Sequence, residues 1–313
     1  MSDLTPPTSR PSSLPQVSRL LVPVDFSPAG RMAARTAAGI ARKQGAKITL
    51  LHVLTPVTHG PETVIHGENF QAKRRACALA ELESLKDSLA EGTDVSCALR
   101  EGSPFEEIIR FARSHKTGLI VLPRTRQPGL LSQLLGSTVE RVVHEAPCAV
   151  LVLAGPEILW LDEPQHVLLT TDFSPDSLAA FPWAEKVACT YGARVTLTHV
   201  QVPMGLPGTR EYARYHDSID ELRQAADAML ISFRQRHLSP AVEVDTRVVE
   251  GTPHRAINRL ARRLSVSLII IAAHGVKGWH HMLTGSTAQR VVRHATCAVL
   301  VVMPQSPVSS QAA

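Results

Sequence analysis

The chain has 313 residues, 44% of them apolar and 19% charged, which is the composition of a soluble globular protein with length for two ordinary domains. Its formal charge of +5 is mild and its basic residues are scattered, so composition gives no argument for a nucleic-acid partner. No apolar run reaches the roughly 18 residues of a membrane span, and five cysteines without a CxxC pair (Cys77, Cys97, Cys148, Cys189, Cys297) read as reduced thiols in a cytoplasm.

Residues 1–17 are rich in Pro, Ser and Thr and lack an apolar centre; they read as a flexible tail and not a signal peptide. From "RLLVPV" onward, short apolar runs alternate with helical patterns and end on "CAVLVL". The whole series then returns. "LLVPVDFSPAG" (20–30) recurs as "VLLTTDFSPDS" (167–177), and "REGSP" (100–104) as "VEGTP" (249–253). "GSTVERVVHEAPCAVLVL" (136–153) recurs as "GSTAQRVVRHATCAVLVV" (285–302), with 12 of 18 positions identical. A repeat of this length marks a duplicated domain and not a solenoid. It gives domains at 18–155 and 164–304, joined by a Pro- and Gly-bearing stretch and followed by a second flexible tail, 305–313.

In the second domain, "HVLLTT" reads as a strand buried on both faces. A helix follows from Ser174 as N-cap, through Pro175 at its first position, to Gly192 at its end. "ARVTLTHVQV" is a strand, a polar helix runs from about Tyr212 to His237, and "VEVDTRVV" is a strand. A helix capped by Thr252 leads to the strand "VSLIIIAA". "STAQRVVRHA" and "CAVLVVM" are the last helix and strand. Five strands alternating with four helices in each half imply α/β domains with mainly parallel sheets covered on both faces. In such sheets a ligand sits beyond the carboxyl ends of the strands. Asp25 and Asp172 follow the first strand of each half, and "HGVKGWHHMLTGST" (274–287) follows the fourth strand of the second.

Several of these residues carry two readings. Gly285-Ser286-Thr287 opens a helix whose first amides lack internal partners. It is either an anion site, with Gly275 letting the loop turn tightly, or a plain N-cap. Asp172 and Asp25 are either ligand acceptors or turn residues opening "DFSP". His274, His280 and His281 lack the helical spacing and accompanying ligands of a zinc site. His52 and His199 hold matching strand positions and read as packed structural residues. Arg259, Arg262 and Arg263 read as a solvated helix face. No nucleophile–base set, GxSxG or Walker lysine is present, and nothing positions a water, so the chain reads as a binding protein with at most slow hydrolysis of what it binds.

The "PVDFSP" and "TTDFSP" openings, the EG(S/T)P turns and the closing "GST…RVV…CAVLV" together resemble the universal stress protein family in its tandem form. The resemblance implies two flavodoxin-like, doubly wound domains with five-stranded sheets, and a nucleotide class, ATP with Mg²⁺ accompanying it, through a G-x2-G-x9-G-(S/T) pattern. In the second domain Ala272 stands at the first glycine, followed by Gly275, Gly285 and Ser286 at the family spacing. The site so implied comprises Thr171, Asp172, the backbone of Val200, Ala272, His274, Gly275, Gly285, Ser286 and Thr287. In the first domain Pro123 and Arg126 replace the first two glycines and only Gly136-Ser137-Thr138 remains, so that copy reads as empty or altered. There Arg124 and Arg126 would hold an anion, fill the vacant site, or stay solvated. The implied partners are the other domain of the same chain, in a pseudo-dimer joined at "CAVLVL" and "CAVLVV", a second chain in a homodimer, and an unidentified protein. The alternative is a nucleotide-free interaction scaffold.

Overall fold

The computed structural model describes residues 14–56, 61–124, 136–154, 164–204, 209–210, 217–273 and 287–304, with the side chains of 61–69 left aside. The first half runs β1 (Arg19–Pro23), α1 (Pro28–Gln44), β2 (Lys47–Leu54), α2 (Pro61–Asp87), β3 (Asp94–Glu101), α3 (Pro104–Ser114), β4 (Leu119–Pro123), α4 (Ser137–Glu145) and β5 (Ala149–Leu153). The second runs β6 (His166–Thr171), a 3₁₀ turn (Asp176–Ala180), α5 (Phe181–Tyr191), β7 (Arg194–Gln201), α6 (Ile219–His237), β8 (Val244–Glu250), α7 (Pro253–Arg263), β9 (Leu268–Ala272), α8 (Thr287–His294) and β10 (Ala298–Val302).

The strands form one sheet in the order β3-β2-β1-β4-β5-β10-β9-β6-β7-β8, five from each half. All neighbours are parallel except β5 and β10, which pair antiparallel through Val150–Val301, Leu151–Leu300 and Val152–Val299. Leu151 and Leu300 are the same position of the repeat, so the pseudo-two-fold passes between them. The pairing removes an exposed edge from each half. Alternation along β5 sends Leu151 and Leu153 into one core layer and Val150 and Val152 into the other, and both layers continue across the junction. This is why "AVLVL" and "AVLVV" are unbroken apolar runs.

One expected helix is two. The sequence places a single helix between Ser174 and Gly192, but the structure has the 3₁₀ turn and then α5. Pro182 has no N–H to give to the carbonyl four residues back, so an α-helix from Pro175 cannot run through it, and Pro182 instead lies in the first turn of α5. In the first half, where Arg35 holds the matching position, α1 runs unbroken from Pro28. Gly192 ends α5 in the left-handed region with φ 66°, as expected. The described part of the polar helix begins at Ile219; residues 212–216 of that expectation lie outside the described residues.

His166, at the start of β6, is buried with its Nδ1 3.2 Å from the Leu264 carbonyl and its Nε2 2.8 Å from Thr196 Oγ1. A carbonyl only accepts, so Nδ1 carries the hydrogen. Burial, then the charge of Arg194, lowers the His166 pKa; burial likewise lowers those of His254 and His294. The sign follows directly. Below about pH 6.5 the unfolded chain takes up protons that the folded chain refuses, so stability falls as pH falls from about 6.5 toward the lowered folded values. Denaturant midpoints measured from pH 7.5 to 5 should decline in that window, and His166→Gln should flatten the decline. A midpoint unchanged over the range would contradict the assignment.

Candidate functional site

Each half opens its helical layer with the same turn. Asp172 Oδ1 accepts from the Ser174 amide at 3.0 Å and from the Ser174 hydroxyl at 2.5 Å, while Ser174 Oγ accepts from the Ser177 amide at 3.2 Å. Asp25, Ser27 and Gly30 repeat the arrangement at 3.1, 2.6 and 3.1 Å. The turn forces Phe26 and Phe173 to positive φ, 60° and 64°. That conformation costs a bulky residue about 1–3 kcal/mol. Each ring is held by stacking on a histidine of the next strand, Phe26 on His52 at 4.4 Å and Phe173 on His199 at 4.3 Å. Those histidines are fixed in turn, with Nδ1 2.7 Å from the Val24 carbonyl and 3.0 Å from the Thr171 carbonyl. One oxygen of each aspartate thus serves the turn, and both histidines pack as the sequence implies.

Beyond this turn the second half opens a cavity of about 370 Å³. Its origin lies in the sheet. The β6–β9 ladder stops at Leu169–Ile270, so Thr170 and Thr171 on one strand separate from Ile271 and Ala272 on the other, and all four line the space. This is the switch point of the domain, where the chain after β6 crosses to β7 and the chain after β9 crosses to β10. Thr198, His199, Val200 and Val202 of the β7 end form a second wall; Pro253 and Ile257 of α7 form a third. Thr287 and Ala288, the first turn of α8, close the ring.

The polar groups are ordered. Ser177 gives its hydroxyl proton to the Ser174 carbonyl at 2.7 Å, so at its 2.9 Å contact with Thr171 Oγ1 the threonine is the donor. Thr171 Oγ1 also accepts from the Phe173 amide at 3.0 Å. Asp172, exposed at the rim, brings a carboxylate, which only accepts. Thr287 and Ala288, where the described part of α8 begins, line the same cavity, and the amino end of a helix carries the positive end of its dipole. The cavity therefore combines a carboxylate acceptor, Asp172, the amino-terminal part of α8, and an apolar lining of Val200, Val202, Ile257 and Ile271.

Of the residues that the sequence points to, Thr171, Asp172, Val200, Ala272 and Thr287 line this cavity. His274, Gly275, Gly285 and Ser286 lie outside the described residues, as do His280, His281 and Arg126. Among the described residues no group of three or more His, Cys, Asp or Glu could hold a metal, and no helix is long and apolar enough to cross a membrane. Sequence reasoning did not single out Thr170, Ser177, Thr198, Pro253 or Ile257. The signal lay in the repeat itself: at the positions of Thr170, Thr171 and Thr198 the first half has Pro23, Val24 and Leu51, which replace every one of those hydroxyls by an apolar side chain. Arg124 corrects an expectation. It neither lines a site in its own domain nor stays solvated; it is buried, with its guanidinium on backbone carbonyls of the second domain.

Comparison with known proteins places this architecture. A model described as the universal stress protein family matches the chain twice, at residues 16–154 and 164–303. A universal stress protein of Mycolicibacterium smegmatis is 31% identical over 296 residues, 91% of this chain and 97% of that protein. A universal stress protein of Methanocaldococcus jannaschii is 30% identical over 149 residues, 44% of this chain and 83% of its own length. Among solved structures, a universal stress protein from Archaeoglobus fulgidus superposes with a TM-score of 0.67 at 20% identity, covering 93% of this chain and all of that one.

Proposed function

The chain belongs to the universal stress protein family, as a tandem of two such domains, and from that premise we propose that it binds an adenine nucleotide, ATP by preference, in the second-domain cavity. The observation that carries the reading is the polarity of that cavity. The exposed Asp172 carboxylate, an acceptor, suits an adenine amine or a ribose hydroxyl. The apolar lining suits the base, and the amino-terminal part of α8 suits phosphate. The volume, about 370 Å³, is in the range of small-molecule sites, roughly 300–1,000 Å³. Thr171, Asp172, Val200, Ala272 and Thr287 would hold the nucleotide from the described side. His274, Gly275, Gly285 and Ser286 would complete the phosphate end, with Mg²⁺ accompanying the phosphates.

The first domain lacks the matching hydroxyls and carries Pro123 and Arg126 in its glycine pattern, so one nucleotide per chain is the expected load. We assign binding and no reaction. Function then lies in how the loaded and empty chain differ toward a protein partner. A crystal grown with ATP should show nucleotide density beside Asp172. Density confined to the neighbourhood of Asp25 would overturn the assignment, and the nucleotide-free scaffold would replace it if neither site filled.

A further inference from the structure

The loop that departs from the glycine pattern in the first domain begins with Arg124. Its backbone is conventional: the Arg124 amide donates to the Leu153 carbonyl at 2.9 Å, just as Ala273 does to Val302 at 2.8 Å in the second domain. Its side chain is not. It crosses the pseudo-two-fold and ends among the last carbonyls of α8. Nη1 donates to Ala295 O at 2.5 Å and to Val292 O at 3.1 Å, with Arg293 O at 3.5 Å. Nη2 donates to Ala154 O at 3.3 Å, on its own side of the junction. The last carbonyls of a helix have no intrahelical partner and carry the negative end of its dipole, so a buried guanidinium there meets both needs.

The contact is one-way. The position matching Arg124 in the second domain is Ala273, which has nothing to send back to α4. A second tie lands on the same helix end: Arg293 donates to Glu140 of α4 at 2.6 Å. Arg124 and Arg293 thus both tie the C-terminal end of α8 to the first half. The other end of the described part of α8, Thr287 and Ala288, lines the cavity, and that part is eight residues long.

The geometry assigns to Arg124 the role of a cross-domain latch that positions α8, so that the ligand cavity of the second domain depends on a residue of the first. Arg124 touches no ligand; it is a positioning residue. Where the ligand is a nucleotide, which rests on the reading above, occupancy and latching favour each other by the same factor.

The test uses the full chain. In Arg124→Ala, backbone amides of α8 (290–295) should lose at least about tenfold in hydrogen-exchange protection in the absence of ligand, while amides of α4 stay within about twofold. Arg124→Lys, which keeps the charge but not the fork, should recover part of that protection and covers the case in which the alanine variant fails to fold. Removing the exposed Arg35 should change neither helix. ATP affinity should weaken about tenfold in Arg124→Ala. Equal loss in α4 and α8, or none in α8, overturns the latch. A loosened α8 with unchanged ATP affinity overturns its link to the cavity. A wild-type chain that binds no ATP overturns the nucleotide reading alone, since the exchange comparison still decides the latch.

Discussion

Leu300→Asp should leave no cooperatively folded protein. Leu300 is 3% exposed, lies in β10 between β9 and β5, and faces Leu151 across the only antiparallel step of the sheet. A carboxylate there has no partner and no water. The cost of burying it, or of forcing its protonation, adds to the loss of the leucine, and the sum is on the order of 5 kcal/mol or more. Whole domains are stable by about 5–15 kcal/mol, so the change consumes most or all of the margin. The effect should reach both halves at once, because both core layers run through the junction. Leu300→Ala gives the graded companion, with an expected loss of about 2–5 kcal/mol. Leu79→Asp, on the exposed face of α2 at 44% exposure, should change stability little. Circular dichroism melts of the three variants make the comparison. A Leu300→Asp chain that melts like wild type would mean the ten-stranded sheet does not exist in solution.

Gly285→Val should weaken ATP binding at least tenfold, about 1.4 kcal/mol, with little change in melting temperature. The position stands two residues before Thr287, where the described part of α8 begins, and on the proposed reading phosphate would approach the backbone there. A branched side chain at such a position obstructs the approach and restricts the backbone. Gly136→Val is the internal control. Gly136 caps α4 with φ −56° and ψ 136°, a conformation open to any L-residue, so the fold should tolerate the change. It should not alter ATP affinity either, because the first domain has Pro23, Val24 and Leu51 where the second has three threonines. Equal losses from the two substitutions would show that the loaded site is misassigned.

The doubling, the strand and helix series and the placement of the site at the strand ends were legible because each rests on local pattern. Buried strands are apolar runs, helices open at Ser-Pro and Thr-Pro, and the repeat lets each half check the other. The split at Pro182 was also written in the sequence, but the strong N-terminal signal of Ser174-Pro175 outweighed a proline seven residues further on. Arg124 was not legible. Read along the chain it is one of two arginines in a polar loop, and polar loops are usually solvated. Its partners are carbonyls about 170 residues away, and backbone carbonyls leave no trace in a residue pattern. The cavity's floor was hidden for a related reason. Thr171 was named through the family resemblance, but Thr170 and Thr198 look like ordinary strand threonines until the β6–β9 ladder ends and the strands part. The contrast of the three threonines with Pro23, Val24 and Leu51 was readable from the repeat, and it is the sequence signal that favours the second domain as the candidate site.

Calorimetric titration of the full-length wild-type chain with ATP tests the central claim most directly. The account predicts saturation at one nucleotide per chain, with affinity weakened at least about tenfold in Gly285→Val and kept in Gly136→Val. Two equal sites per chain, or no heat at millimolar ATP, would contradict it.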